Sequence, residues 1–366
     1  MAPGSVSFSD QVRSAARRLG FDAVGIARAS GSIGRDFAHY EAFIGAGMHG
    51  EMAWLARNVD VRERLDGDGI LRGARSVICV ARRYPAGSEP SAPAHAAAEP
   101  VQTIARYARG RDYHAFVRRR LRKLAAFVRS LGTPDEPVRA RPLLDEHPVL
   151  ERAWAARAGL GFVGKNGMLI VPGIGSMALL GEVVTTLALD VDAPIAERCG
   201  ACTRCLEACP TRAFVRPFVL DARRCVSYLT IEHRTSIPPE LREGIGAHLF
   251  GCDDCQTVCP FNAGAGARAP LEPARGEPFA PLERWSRVRL ESLLSLDEAG
   301  WNEISAGSPL RRAGRVGIAR NAAIVLGNRR DVAALAALRA AARDHDDAIV
   351  REAASWAVSR IAGAAG

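Results

Sequence analysis

Apolar positions change their period several times along the chain. Val12, Ala15, Ala16 and Leu19 recur at helical spacing, Ser9 precedes them as an N-cap, and Gly20 stops the run. Phe21 to Ala27 reads as a buried strand, and Phe37 to Leu55 as a helical stretch interrupted by Gly45, Gly47 and Gly50. Ser76 to Ala81 is short and continuously apolar, which predicts a buried strand with Cys79 as a small hydrophobe inside it. Residues 86–100, rich in Ala, Pro, Ser and Gly, read as a surface loop. Asp112 to Leu131 is strongly amphipathic. Phe116, Val117, Leu121, Leu124, Phe127, Val128 and Leu131 line one side, while Arg118, Arg119, Arg120, Arg122 and Lys123 crowd the other. Such a charge run is ordinarily a solvated face, and a phosphate-facing surface is the alternative.

Val138 to Leu144 reads as a strand, and Pro148 as the first turn of a helix running to Arg157 and closed by Gly159-Leu160-Gly161. Met168 to Leu189 is apolar, but Pro172, Gly173, Gly175, Gly181 and Glu182 divide it into two strands, so no membrane span is expected. Helices and strands thus alternate from residue 9 to 190, which indicates an α/β domain. Asn262 to Pro281 reads as a linker, and the chain is helical from Leu290. There Ile318–Gly327 is similar to Ile349–Val358, with Arg320 and Arg351 aligned 31 residues apart, a helical repeat signal of the HEAT type. The expected organisation is an α/β domain over 1–190, a ferredoxin-like module over 191–265 and a HEAT-like α-helical domain over 266–366.

Cysteines carry the clearest chemistry, since eight of the nine fall between 199 and 259. Cys199, Cys202, Cys205 and Cys209 are followed by Pro210, and Cys252, Cys255 and Cys259 by Pro260. A 4Fe–4S cluster takes four thiolates, so eight make two clusters. Three thiolates at close intervals wrap one cluster, and the one before the proline ligates the other. This assigns Cys199, Cys202, Cys205 and Cys259 to one cluster, and Cys209, Cys252 and Cys255 to the second, which Cys225 completes. Disulfides would need an oxidising compartment, and zinc sites would not need the crossed pattern.

The formal charge of +9 and pI near 9.4 fit a polyanionic partner; the competing explanation is a general preference for Arg over Lys. The N-terminal residues lack an apolar signal core, so a cytoplasmic protein is expected, as a monomer.

Several stretches converge on one family. DEHPVLERAWAARAGLGFVGKN (145–166), GSMALLGEV (175–183), the crossed cysteine pattern, CVSYLTIEHRTSIPPELR (225–242) and GCDDCQTVCPFN (251–262) together resemble the epoxyqueuosine reductases. RRAGRVGIARNAAIVLGN (311–328) resembles that family's HEAT-like segment. The resemblance implies a cobalamin- and iron–sulfur-dependent enzyme that removes the epoxide oxygen of epoxyqueuosine at the wobble position of tRNA. It implies an external electron donor such as a flavodoxin or ferredoxin. It also implies that Asp145 is the proton donor, although Glu146-His147 departs from the family's small residue and glycine at that place and makes Glu146 a competing acid. On the residues alone, Asp145 reads equally as the cap of the helix near Pro148. The resemblance further places Lys165, Asn166 and Ser176 in the corrinoid pocket, and Arg57 and Tyr107 near cofactor or substrate. Tyr113 and His114 read equally as packing residues. For tRNA the expected contacts are His233, Arg234, Arg311, Arg315, Arg320 and the basic face of the 118–123 helix. Two other classes compete: a ferredoxin-type electron carrier, which needs only residues 190–262, and a cobalamin-dependent reductive dehalogenase, which normally carries an export signal.

Overall fold

The computed structural model describes residues 6–85, 103–263 and 278–363. The loop expected at 86–100 and most of the 262–281 linker lie outside the described residues. The first part of the chain runs α1 (Phe8–Arg18), β1 (Ala23–Arg28), α2 (Arg35–Gly45), α3 (Val59–Glu63), β2 (Ser76–Arg83), α4 (His114–Arg129), β3 (Ala140–Leu143), α5 (Glu151–Arg157), β4 (Phe162–Val163), β5 (Leu169–Ile170) and β6 (Ala178–Thr185). Four strands form a sheet in the order β1-β2-β6-β3, antiparallel throughout. Helices cover both faces because apolar side chains of the inner strands alternate with a period of two. Ile26, Ile78, Val80 and Val183 pack under α1 and α4. Ala27, Val77, Cys79, Ala81 and Val184 pack beneath α5.

Local expectations shift in three places. Ser7, not Ser9, caps α1, accepting the Asp10 N–H; the Ser9 hydroxyl instead bonds Asp190. The 37–55 stretch breaks after α2, because Gly47 and Gly50 take positive φ, and only a short 3₁₀ turn (Ala53–Ala56) follows. Helix α5 starts at Glu151, beyond a turn in which the His147 N–H bonds the Leu144 carbonyl. Asp145 is therefore no cap of that helix.

Gly25 sets the approach of α5 to the sheet. A Cβ there would stand 2.2 Å from the Ala158 carbonyl oxygen, a backbone atom that cannot step aside. Gly25→Ala is expected to destabilise the fold by about 1–3 kcal/mol, read as a lower urea midpoint at unchanged m-value.

The cysteine-rich module contributes α6 (Arg204–Glu207), the hairpin β7 (Phe214–Arg216) and β8 (Val219–Leu220), α7 (Val226–Ile231), α8 (Pro239–Ile245), α9 (Asp254–Thr257) and α10 (Pro260–Ala263). The last part adds α11 (Glu283–Arg287), α12 (Glu298–Ser305), α13 (Gly314–Arg329), α14 (Leu335–Asp344) and α15 (Ala348–Ala362). The two similar segments found in the sequence lie in α13 and α15, which pack together where Gly327 meets Trp356 and Ala357. A single core runs across residue 265: Leu229, Ile237 and Leu241 share it with Ile318, Ile324 and Ala353. Helix α13 is buried nearly all round, as a helix apolar on most sides must be. Among the described residues no helix is long and apolar enough to cross a membrane.

Candidate active site

Where the three parts of the chain meet, a cavity of about 1060 Å³ opens. Trp54, Arg57, Tyr107, Tyr113, His114 and Asp145 line it from the sheet side, Cys225 and Tyr228 from the cysteine module, and Pro309, Arg311 and Arg312 from the helical part. This is the upper end of ordinary cofactor sites, roughly 300–1,000 Å³. Its aromatic wall is a chain of contacts in which Tyr107 meets Tyr84 and Tyr113 edge-on and also packs on Phe250.

One wall holds an ionised pair. Nδ1 of His114 lies 2.5 Å from Asp112 Oδ1, and Nε2 lies 3.1 Å from Asp145 Oδ1. With a carboxylate on each ring nitrogen, the imidazole satisfies both only when doubly protonated. The hydrogen bonds to Asp112 and Asp145 accordingly push His114 up to about 10. Burial alone would raise the Asp145 carboxyl. The hydrogen bonds from His114 and Tyr113, the His114 charge and the Glu146 N–H outweigh it and hold Asp145 below its ordinary value. At neutral pH the pair therefore carries one proton, which resides on His114. The sequence left His114 open between packing and a place near cofactor or substrate; the signal that could have decided it is Asp-x-His, which lets Asp112 seat the ring from the start of α4. Glu146, the competing acid, pairs with Arg118 instead.

The thiols that raise one another's pKa, beyond the effect of burial, fall into two sets. Cys199 and Cys205 feel Cys259, which feels Cys202. Cys225 feels Cys209, while Cys252 and Cys255 feel Cys225. One weaker link, Cys255 to Cys205, joins the sets. Eight soft thiolate donors at this spacing suit iron–sulfur clusters, and His248 and Asp254 stand beside Cys252. Cys79 stays apart, buried in β2.

Lys165, Asn166 and Ser176, expected in the corrinoid pocket, do not line the cavity. Lys165 Nζ donates to the carbonyls of Gly200 and Cys202, at 2.6 and 3.0 Å. Asn166 donates to the Cys255 carbonyl, and Ser176 bonds Gln256 and Asn262. Lys165 and Asn166 thus brace the cysteine loops through backbone carbonyls, whereas Ser176 meets side chains and lines a smaller pocket with Tyr113 and Asp145. Arg57 and Tyr107 do line the cavity.

Residues 198–262 match the family described as "4Fe-4S double cluster binding domain", and residues 64–145 that described as "Epoxyqueuosine reductase QueG, DUF1730". The epoxyqueuosine reductase of Gloeobacter violaceus is 43% identical over 321 residues, 87% of this chain and 95% of that protein. The chain belongs to the epoxyqueuosine reductase family. It is accordingly an oxidoreductase. A solved epoxyqueuosine reductase in complex with an epoxyqueuosine-modified tRNA-Tyr stem loop superposes with a TM-score of 0.83 at 29% identity, covering 96% of this chain and 89% of that one. The Bacillus subtilis epoxyqueuosine reductase, solved with its catalytic aspartate loop swung out of the active site, matches with the same TM-score and identity over 96% of this chain and 90% of that one.

In this member of the epoxyqueuosine reductases, the residues expected to meet tRNA divide sharply. Arg320 is 1% exposed, and its guanidinium donates to the carbonyls of Leu229, His233 and Thr235, so it faces the interior and not the phosphates. Arg234 donates to the carbonyls of Ile231, Arg312 and Ala313. Arg315 is paired with Glu298 and Asp346. His233 is held by Glu51 and the Ser236 carbonyl. Arg311 alone of the five lines the cavity and, among the described residues, carries no ion pair; it donates to Asn302. On α4, Arg120 stacks on Phe116 and bonds Leu19 O, whereas Arg119 and Arg122 face outward.

Beside that wall the epoxyqueuosine reductase fold holds two further acids, one buried and one half-buried. Glu182 sits mid-sheet on β6, between Cys79 and Leu143, fully buried with neither oxygen partnered. Glu151 opens α5, with one oxygen likewise unpartnered. Burial and the Asp145 charge push Glu151 up to about 8; burial, Glu151 and Asp145 push Glu182 well up. Both stay protonated in the fold at pH values where the unfolded chain releases the protons. Stability therefore falls as pH rises from the ordinary Glu range through about 8. An unpartnered buried polar group costs about 1–3 kcal/mol, so Glu182→Leu is expected to stabilise the protein by that amount. Urea unfolding at pH 5 and pH 8 checks it, and the variant should lose less stability between the two.

Proposed function

We propose that this chain reduces epoxyqueuosine to queuosine in the anticodon loop of tRNA, the last step of queuosine biosynthesis, using two 4Fe–4S clusters and a cobalamin. The observation that carries the reading is the two-sided cavity: the Asp145–His114 pair stands on one wall and Cys225 on another. Converting an epoxide to an alkene takes two electrons and two protons and releases water, so a proton source and an electron route must face one space. Cys199, Cys202, Cys205 and Cys259 hold one cluster, and Cys209, Cys225, Cys252 and Cys255 hold the other, the one that abuts the cavity. The cavity's size and aromatic lining fit a corrinoid, which Arg57, Tyr107 and Tyr113 would hold. When bound, cobalamin supplies a metal centre that couples single-electron delivery to cleavage of a carbon–oxygen bond.

The chain's own residues handle the proton. Asp145 sits on the loop after β3 within reach of His114, and the loop of a catalytic aspartate moves in a related enzyme. His114 holds the proton, and Asp145 presents it to the departing epoxide oxygen. Arg311 at the cavity and the outward arginines of α4 meet phosphate, and a relative's complex with the modified stem loop supports such docking. The wobble base must be splayed from the loop to enter, which single-stranded RNA permits. Electrons come from an external carrier such as a flavodoxin or ferredoxin. A monomer in the cytoplasm, where thiols stay reduced, fits these needs. A plain electron carrier would leave the cavity and its ion pair without use.

The test is an anaerobic metal count after incubation with cobalamin and desalting, followed by turnover of epoxyqueuosine tRNA. About eight irons and one cobalt per chain, with product queuosine, are expected. Iron without cobalt, and no product, would sink the reading.

A further inference from the structure

Electrons have to enter from outside, and the two thiol sets differ in how they meet solvent. Ala201, Thr203 and Arg204, between the first set's thiols, are exposed. Gly251 and Asp253, between those of the second set, are buried. The first set's loop is thus the more open to solvent.

The β7–β8 hairpin stands beside that loop. Its turn presents Val215, 61% exposed, and Phe218, 43% exposed, two of the few large hydrophobic side chains left in water. Phe218 takes φ 70, a conformation a bulky aromatic residue adopts only under constraint. The constraint is visible: the Phe218 N–H donates to the Lys165 carbonyl at 2.9 Å, and Lys165 Nζ grips the carbonyls of Gly200 and Cys202. An exposed aromatic is thus tied through one residue to the cluster loop. In the same module Arg198, Arg204, Arg212 and Arg216 are exposed and carry no ion pair among the described residues. The acids of the same stretch are engaged locally, Glu197 by the Cys199 N–H and Glu207 by the Thr203 hydroxyl.

We propose that Val215, Phe218 and these four arginines form the docking surface for a small acidic single-electron carrier protein that reduces the cluster of Cys199, Cys202 and Cys205. The proposal rests on the cluster reading above. Each encounter oxidises the carrier by one electron and reduces the cluster by one, so two encounters supply one turnover. A small apolar tip with unpaired arginines in the same module suits a transient partner: charge speeds arrival, and the limited area lets the carrier leave.

The test uses the holoprotein, with anaerobically photoreduced flavodoxin as the probe and dithionite as the control, following cluster bleaching by stopped flow. Phe218→Asn removes the apolar tip while tolerating the backbone conformation, and Arg212→Glu with Arg216→Glu reverses the charge. Both variants are expected to slow bleaching by flavodoxin about tenfold or more at low salt, with dithionite bleaching and tRNA affinity unchanged. Wild-type rates with flavodoxin overturn the proposal. So does weakened tRNA binding at an unchanged flavodoxin rate, which would make the surface an RNA contact. Failure of dithionite to bleach the wild-type protein would instead remove the cluster reading.

Discussion

Asp145→Asn is expected to lower turnover of epoxyqueuosine tRNA about 10²–10⁴-fold, the usual contribution of a positioned acid, with iron content and tRNA affinity unchanged. Asparagine keeps the size and one acceptor but cannot pass a proton. Because the proton of the pair resides on His114, His114→Gln should be nearly as damaging, and the double variant little worse than either, since the two residues act as one unit. The pH dependence separates this from a simple carboxylic acid. An isolated Asp would lose its proton well below neutrality and turnover would fall from there. Here the pair keeps its proton until His114 releases it, so turnover should hold through neutral pH and decline only as pH approaches about 10. A profile that falls below pH 6 would remove His114 from the proton path.

Cys225→Ser is expected to bring bound iron from about eight to about four per chain and to abolish turnover. The cluster of Cys199, Cys202, Cys205 and Cys259 shares no ligand with it and should persist, visible in the low-temperature spin signal of one reduced cluster. Cys225 is the one thiol of the two sets that lines the cavity, so in the proposed reaction its loss removes the electron relay nearest the substrate. A variant retaining all its iron would mean that another group completes the second set; His248, whose Nε2 lies 3.8 Å from Cys252 Sγ, is the group in place to do so. Cys79→Ser should leave the iron count unchanged.

What could be read from the chain followed the range of each interaction. Cysteine spacing is local chemistry, and the double-cluster domain over 198–262 was legible from it. Amphipathic period likewise gave α4 and the apolar strands. The sheet's antiparallel order was not legible, since alternating elements do not state which strands pair. Nor was the destiny of the arginines. Arg311 and Arg320 look alike in sequence, yet one lines a cavity and the other satisfies three interior carbonyls. Lys165 and Asn166 were expected at the corrinoid, and only the fold shows that their polar ends reach the carbonyls of the cysteine loops. The Asp112–His114–Asp145 arrangement joins the start of α4 to the loop after β3, a separation no spacing rule spans.

The buried helix α13 bears on how the protein is made. Arg320 and Asn321 satisfy carbonyls of Leu229, Thr230, His233, Thr235 and Leu249 in the segment that holds Cys225 and Cys252. All eight cluster thiols leave the ribosome before Gly314 does. A nascent chain of that length carries the whole cysteine pattern but still lacks the helix that satisfies the carbonyls beside Cys225 and Cys252.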